Sequence, residues 1–255
     1  MLAKKIYVIT TEGDEKSKEY FDFLCDSTKI VRGLTEQDIT EFKWTSDIDE
    51  AWDRVKDLNI KDHGKFNYPL QPEDNDSTRR AECVTLAHMF LWNKIAKEEI
   101  TSIIFEHDVV IHQNPCYLDI PPNMVIGLGY KTRTPELYEY EKAGLPKEIV
   151  YVRNILGAHA YALQPITAFK LLEEVRKDGV QGWIDCTHFQ GGIKHKEIYM
   201  GMANPPPVQA WLRKSTIWGE ATDRNGYMVS GYIDNIESPG KEKIEELYSK
   251  THYYK

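Results

Sequence analysis

Between Arg80 and Lys97 the apolar residues Val84, Ala87, Leu91 and Ile95 recur at helical spacing, with Phe90 widening the stripe. The chain then runs into Ile100-Thr101-Ser102-Ile103-Ile104-Phe105. The first pattern predicts an amphipathic helix with one face on a core. The second is almost continuously apolar, as in a strand buried on both faces of a parallel sheet. A long helix leading into such a strand points to an α/β layered domain.

The rest of the chain extends that reading. Lys4 to Thr11 alternates into a β run, and Gly13-Asp14 open a helix over Lys16 to Cys25, with Tyr20, Phe21, Phe23 and Leu24 on its apolar side. Lys29-Ile30-Val31-Arg32 is a second extended piece that stops at Gly33, completing a β-α-β order. Residues 46 to 78 read as a short helix around Ile48 to Val55 followed by a long loop. Val125 to Leu128 and Ala158 to Leu163 are predicted strands, and Pro165 to Arg176 is a second amphipathic helix with Pro165 in its first turn. No repeat or domain boundary interrupts the 255 residues, so one domain over 1–255 is expected.

Composition matters mainly for what it excludes. The longest apolar runs are short and broken by charge, so no transmembrane helix is predicted. Met1 to Lys5 leads straight into Ile6-Tyr7-Val8-Ile9, too short for a signal-peptide apolar region. Cys25, Cys83, Cys116 and Cys186 lie scattered with no CxxC pair, which argues against a zinc or disulfide framework and suits a reducing, cytoplasmic setting. The net charge of −8 argues against nonspecific nucleic-acid binding.

Chemistry concentrates at Phe105-Glu106-His107-Asp108, where two acids alternate at the end of the buried strand. In open α/β sheets, ligand crevices form at such strand ends. A sugar nucleotide brings a charged diphosphate, and a hard divalent cation on one or two carboxylates, with phosphates as its other ligands, neutralises it. Glu106 and Asp108 have the type and spacing for that task; the plain alternative is a strand-end turn with solvated acids.

The stretch from Arg80 to Ile95, followed by Ile103 to Ile111, resembles the glycosyltransferases of family 25, which include lipopolysaccharide and procollagen galactosyltransferases. Their pattern there is a G-C-x-x-S-H-x-x-x-W helix and an apolar strand closing on E-D-D-V. Gly157-Ala158-His159-Ala160-Tyr161 is similar to the family's G-T-x-A-Y strand, with a helix at Ala168 to Leu172 behind it. Trp183-Ile184-Asp185 resembles its P-V-D segment, and Pro206-Pro207-Val208-Gln209 with Ser215-Thr216-Ile217-Trp218 its P-P-x-V-x-Q and S-T-I-W tail. The matched order covers roughly residues 80 to 218. Three departures stand out: Glu82 in place of Gly, Ala87 in place of Ser, and His107 in place of the middle Asp.

The resemblance implies a GT-A-like, Rossmann-type mixed sheet flanked by helices. It implies an inverting transfer of a hexose, galactose or glucose, from a UDP-sugar to a glycan or lipid-linked oligosaccharide hydroxyl. Asp108 and Glu106 are then the manganese or magnesium ligands, with His188 or His195 as a third, and Asp185 is the general base. Thr10 and Thr11 at the end of the first strand, Arg80 beside Arg79, His88, Gly157, His159 and Tyr161 are the candidate donor-binding residues, although core packing explains several of them equally well. The aromatic tail, Tyr248, Tyr253 and Tyr254, reads as a terminal helix packing on the domain, with an acceptor platform or a docking surface as the alternative. A nucleotide-sugar or glycan-binding module without catalysis, marked by His107, is the alternative of a different class. The same transfer to a protein side chain or a modified DNA base is a variant of the first reading.

Overall fold

A computed structural model describes residues 1–28, 31–68, 75–129, 146–152, 154–155, 157–189 and 197–210. The chain builds strand β1 (Lys5–Thr11), helix α1 (Glu15–Ser27), β2 (Ile39–Trp44), α2 (Ile48–Arg54), α3 (Asp76–Glu98), β3 (Ser102–Glu106) and β4 (Val109–Ile111). There follow β5 (Met124–Gly127), β6 (Glu148–Val152), β7 (Ala160–Leu163), α4 (Pro165–Asp178), β8 (Tyr199–Asn204) and β9 (Val208–Ala210). Among the described residues seven strands form one sheet in the order β2-β1-β3-β7-β5-β8-β6, and β4 pairs with β9 in a separate ribbon. β1, β2 and β3 run parallel, β7 runs against both β3 and β5, and β8 lies parallel to β5. The fold is therefore α/β, as the sequence pattern predicts, and its sheet is mixed and flanked by helices, as the resemblance implies.

Alternation along the strands assigns two cores. Tyr7, Ile9, Ile104, Tyr161 and Leu163 join Leu86, Met89, Trp92 and Ile95 of α3 and Leu171, Leu172 and Val175 of α4. Ile6, Val8, Ile103, Phe105, Ala160 and Ala162 face the other way, onto a cluster that includes Leu24 of α1. Both faces of the sheet are thus covered, and β3, with both neighbours paired, has no polar residue between Ile103 and Phe105.

Helix ends follow local chemistry. The Asp14 side chain accepts from the amides of Lys16 and Ser17 at the start of α1, and Asn75 from that of Thr78 at the start of α3. Glu99, with φ of 55°, closes α3 in the left-handed region and allows the chain to reverse directly into β3. The amino end of α3 therefore points toward the carboxyl edge of the sheet.

One predicted strand is displaced. Positions 29 and 30 of the expected Lys29-to-Arg32 strand lie outside the described residues, and Val31 to Gly33 form a bend and turn, with Leu34 N–H donating to Val31 O. The second strand is Ile39–Trp44 instead. It lies at the outer end of the sheet order with β1 as its partner, so Glu41 and Lys43 are tolerated and the segment reads as polar. The expected loop after α2 is tied down: Asn67 N–H donates to Val180 O, and Phe66 bridges to Val180.

At the amino edge, Glu98 accepts from Tyr7 Oη at 2.6 Å and pairs with Lys94 at 2.7 Å and Lys5 at 3.6 Å. The bonds from Lys94 and Tyr7 hold its carboxyl down at about 2, against an ordinary 4.5. A lowered folded-state value stabilises the fold above the unfolded one and is lost as pH falls. Glu98→Gln should therefore be less stable than wild type at neutral pH, and the gap should close as pH drops from about 4.5 toward about 2. Urea unfolding across that range measures it; a gap constant with pH would show that the carboxylate is not the source.

Candidate functional site

Because β1, β2, β3, β5 and β8 point the same way, their carboxyl ends share one edge. Thr10 and Thr11 end β1, Trp44 ends β2, and Glu106 ends β3 opposite Ile9. The antiparallel β7 starts there, with His159 O accepting from Glu106 N–H at 2.9 Å. Leu128 N–H donates to Ala160 O at 3.0 Å and holds the end of β5 alongside.

Glu106 shares the α3 face of the sheet with Ile104 by strand alternation. Its Oε1 stands 3.6 Å from Nε2 of His88, which is wholly buried, while its own side chain is 23% exposed. Beneath it, Tyr161 Oη lies 2.9 Å from His88 Nδ1 and 2.9 Å from Trp92 Nε1. Burial, with the Glu106 charge adding and the Trp92 bond opposing, holds the Tyr161 hydroxyl well above its usual range. Asp108 follows in the turn between β3 and β4, half-buried, with Oδ1 sheltered from solvent. The His107 ring stacks on Tyr20 of α1, centroids 5.8 Å apart.

Asp185 lies half-buried on a single π-helical turn, Ile184–His188, closed by Phe189 N–H donating to Ile184 O at 3.2 Å. That turn is tied to α3 by Ile184 N–H donating to Thr85 Oγ1 at 3.3 Å. Thr85 is one turn nearer than His88 to the amino end of α3, so the turn bearing Asp185 lies toward the carboxyl edge.

The other expected site residues are more widely spread. His159 and Tyr161 are buried at the edge and beneath it, and Gly157 takes a φ of 89° just before them, where glycine is favoured. Thr10 is buried and donates to Glu41 Oε1 on the face of Ile6 and Val8, whereas Thr11 N–H donates to Ser17 Oγ and its residue is half-buried. Arg79 and Arg80 are exposed near the amino end of α3. His188 is 4% exposed and meets the Trp92 ring edge-on at 6.2 Å. His195, the Ser215-to-Trp218 segment and Tyr248, Tyr253 and Tyr254 lie outside the described residues, as do 130–145 of the loop before β6. Among the described residues no three His, Cys, Asp or Glu side chains gather as a metal site. The pair of hard carboxylate donors, Glu106 and Asp108, suits a divalent cation whose remaining ligands are phosphate oxygens.

Three partners were not legible beforehand: Trp92 on Tyr161, Tyr20 on His107, and Tyr68, which donates to Glu82 Oε1 at 2.8 Å. Each pairs residues from separate elements, and no local period announces such a pairing.

No family model matches this chain, and no curated relative does either. Among solved structures it is similar to galactosyltransferase LgtC in complex with donor and acceptor sugar analogs, at 14% identity over 96% of this chain and 95% of that one, TM-score 0.43. It is also similar to the glycosyltransferase GlyE of Streptococcus pneumoniae TIGR4, at 8% over 99% and 61%, TM-score 0.44. Mouse xyloside xylosyltransferase 1 matches at 10% over 76% and 83%, TM-score 0.42. These are likenesses in the course of the chain, at identities too low to transfer a residue's role.

Burial first, and the bond to Glu82 second, raise the Tyr68 hydroxyl well above its usual range, so it stays a donor. A double-mutant cycle of Tyr68→Phe and Glu82→Gln in urea should give a coupling of about 1 kcal/mol. Additive losses would mean that the two side chains touch without stabilising each other.

Proposed function

We propose that this chain is a glycosyltransferase that uses a UDP-sugar and a divalent cation at the carboxyl edge of its sheet. The observation that carries the reading is the position of Glu106 and Asp108: both acids stand where β3 leaves the sheet, among the ends of β1, β5 and β7. That is the place for a ligand crevice in an open α/β sheet. The resemblance of the 80 to 218 region to family 25 supports the same assignment, including an inverting hexose transfer and a GT-A-like domain.

In this reading Asp108 and Glu106 hold manganese or magnesium, which supplies charge neutralisation for the diphosphate as it is bound and released. His107, whose ring lies against Tyr20, is not counted among the ligands here, because a neutral imidazole compensates less of the cation's charge than a carboxylate does. Arg80, near the helix end on the same side, offers positive charge to phosphate, and Thr11 lies where β1 meets the nucleotide. Asp185 takes the proton from the acceptor hydroxyl as that oxygen bonds to the anomeric carbon; the bond to UDP breaks and UDP leaves with the electron pair. The acceptor in this reading is a glycan or lipid-linked oligosaccharide.

Slow hydrolysis of the donor needs no acceptor, so UDP release tests the assignment. With UDP-galactose and UDP-glucose, wild type should release UDP only with manganese, and Asp108→Ala should lower the rate on the order of 100-fold. Binding of the UDP-sugar without turnover, with an acceptor panel present, would instead favour the non-catalytic module. No binding of any UDP-sugar, with mutant and wild type alike, would overturn the site.

A further inference from the structure

His88 and Tyr161 read from the sequence as donor-binding residues, yet both side chains are wholly buried behind Glu106. Their hydrogen-bond directions can be deduced. Trp92 Nε1–H can only donate, so at 2.9 Å the Tyr161 oxygen accepts from it. The phenol keeps one proton of its own, and His88 Nδ1, also at 2.9 Å, is its remaining partner among the described residues. If His88 Nδ1 donated instead, the phenol would accept twice and its buried proton would have no acceptor. Tyr161 therefore donates to Nδ1, and the neutral imidazole carries its proton on Nε2.

That Nε2 is shielded from solvent and makes no hydrogen bond among the described residues. It faces Oε1 of Glu106 at 3.6 Å, too long for a bond and close enough that a small turn of the partly exposed carboxylate makes one. A buried N–H without an acceptor is rare in folded proteins. Here, among the described residues, it faces an acid of the proposed cation site.

We infer that Trp92 and Tyr161 lock His88 as the Nε2–H tautomer, making His88 a positioning residue that sets the orientation of the Glu106 carboxylate for a divalent cation. The inference rests on the cation reading of Glu106. The tautomer lock depends only on the three buried side chains. Ligating carboxylates are commonly held by hydrogen bonds from residues behind them, and those partners tune the metal site.

Two measurements on the full chain test it. In the metal-free protein, nitrogen-15 spectra of the histidines should show His88 with a protonated Nε2 and a bare Nδ1, and Tyr161→Phe should remove that preference. A protonated Nδ1 or an imidazolium in wild type at neutral pH overturns the lock. In manganese titrations with UDP, Tyr161→Phe and His88→Leu should weaken the cation about 10-fold or more. His88→Gln, whose amide oxygen can accept from Tyr161 while its NH2 donates to Glu106, should stay within about threefold. Folded variants with lower melting temperatures but unchanged manganese affinity would reduce the cluster to packing and overturn the positioning role. A wild type that binds no manganese removes the cation reading and the positioning role with it, while the nitrogen spectra still decide the tautomer.

Discussion

Ile103 and Phe105 of β3 face the α1 side of the sheet and Ile104 faces α3, and all three are wholly buried. The strand lies between β1, which runs with it, and β7, which runs against it. With both edges bonded and both faces covered, β3 has no side to give to water until it leaves the sheet. Glu106 and Asp108 stand where that exit occurs. The constraint that makes the strand apolar thus also places the chain's alternating acids at the mouth of the sheet, among the ends of its neighbours.

The α3 helix carries the second half of the arrangement. Its carboxyl end is pinned at the amino edge by Glu98 against Tyr7, Lys94 and Lys5, and its middle is bonded to β7 through Trp92 and Tyr161. Thr85, further toward its amino end, holds the turn that carries Asp185. One helix therefore spaces the supported acid, Glu106, from the candidate base. Two further contacts tie the helix and the turn after β3 to earlier parts of the chain: Glu82 accepts from Tyr68, and His107 lies against Tyr20.

Much of this was legible in one sequence because it is periodic or local. The α3 stripe, the apolar run of β3 and the acids at its end follow from residue spacing, and the two cores follow from strand alternation. The strand Ile39–Trp44 was missed because a strand at the end of a sheet carries Glu41 and Lys43 without cost, so its pattern looks like a loop. The role of His88 was open for another reason. A histidine near an apolar stripe can serve a ligand or the core, and only the distances to Tyr161 and Glu106 distinguish the two.

The central claim is that a divalent cation and a nucleoside diphosphate meet at Glu106 and Asp108. Manganese is paramagnetic and broadens nearby amide signals, so its position can be read directly from nitrogen-15 spectra recorded with UDP present. The account predicts broadening centred on Glu106 to Val109 and reaching His159 across the β3–β7 bond, absent from a diamagnetic magnesium control. Broadening that spares this edge, or appears only at scattered surface acids, would contradict it.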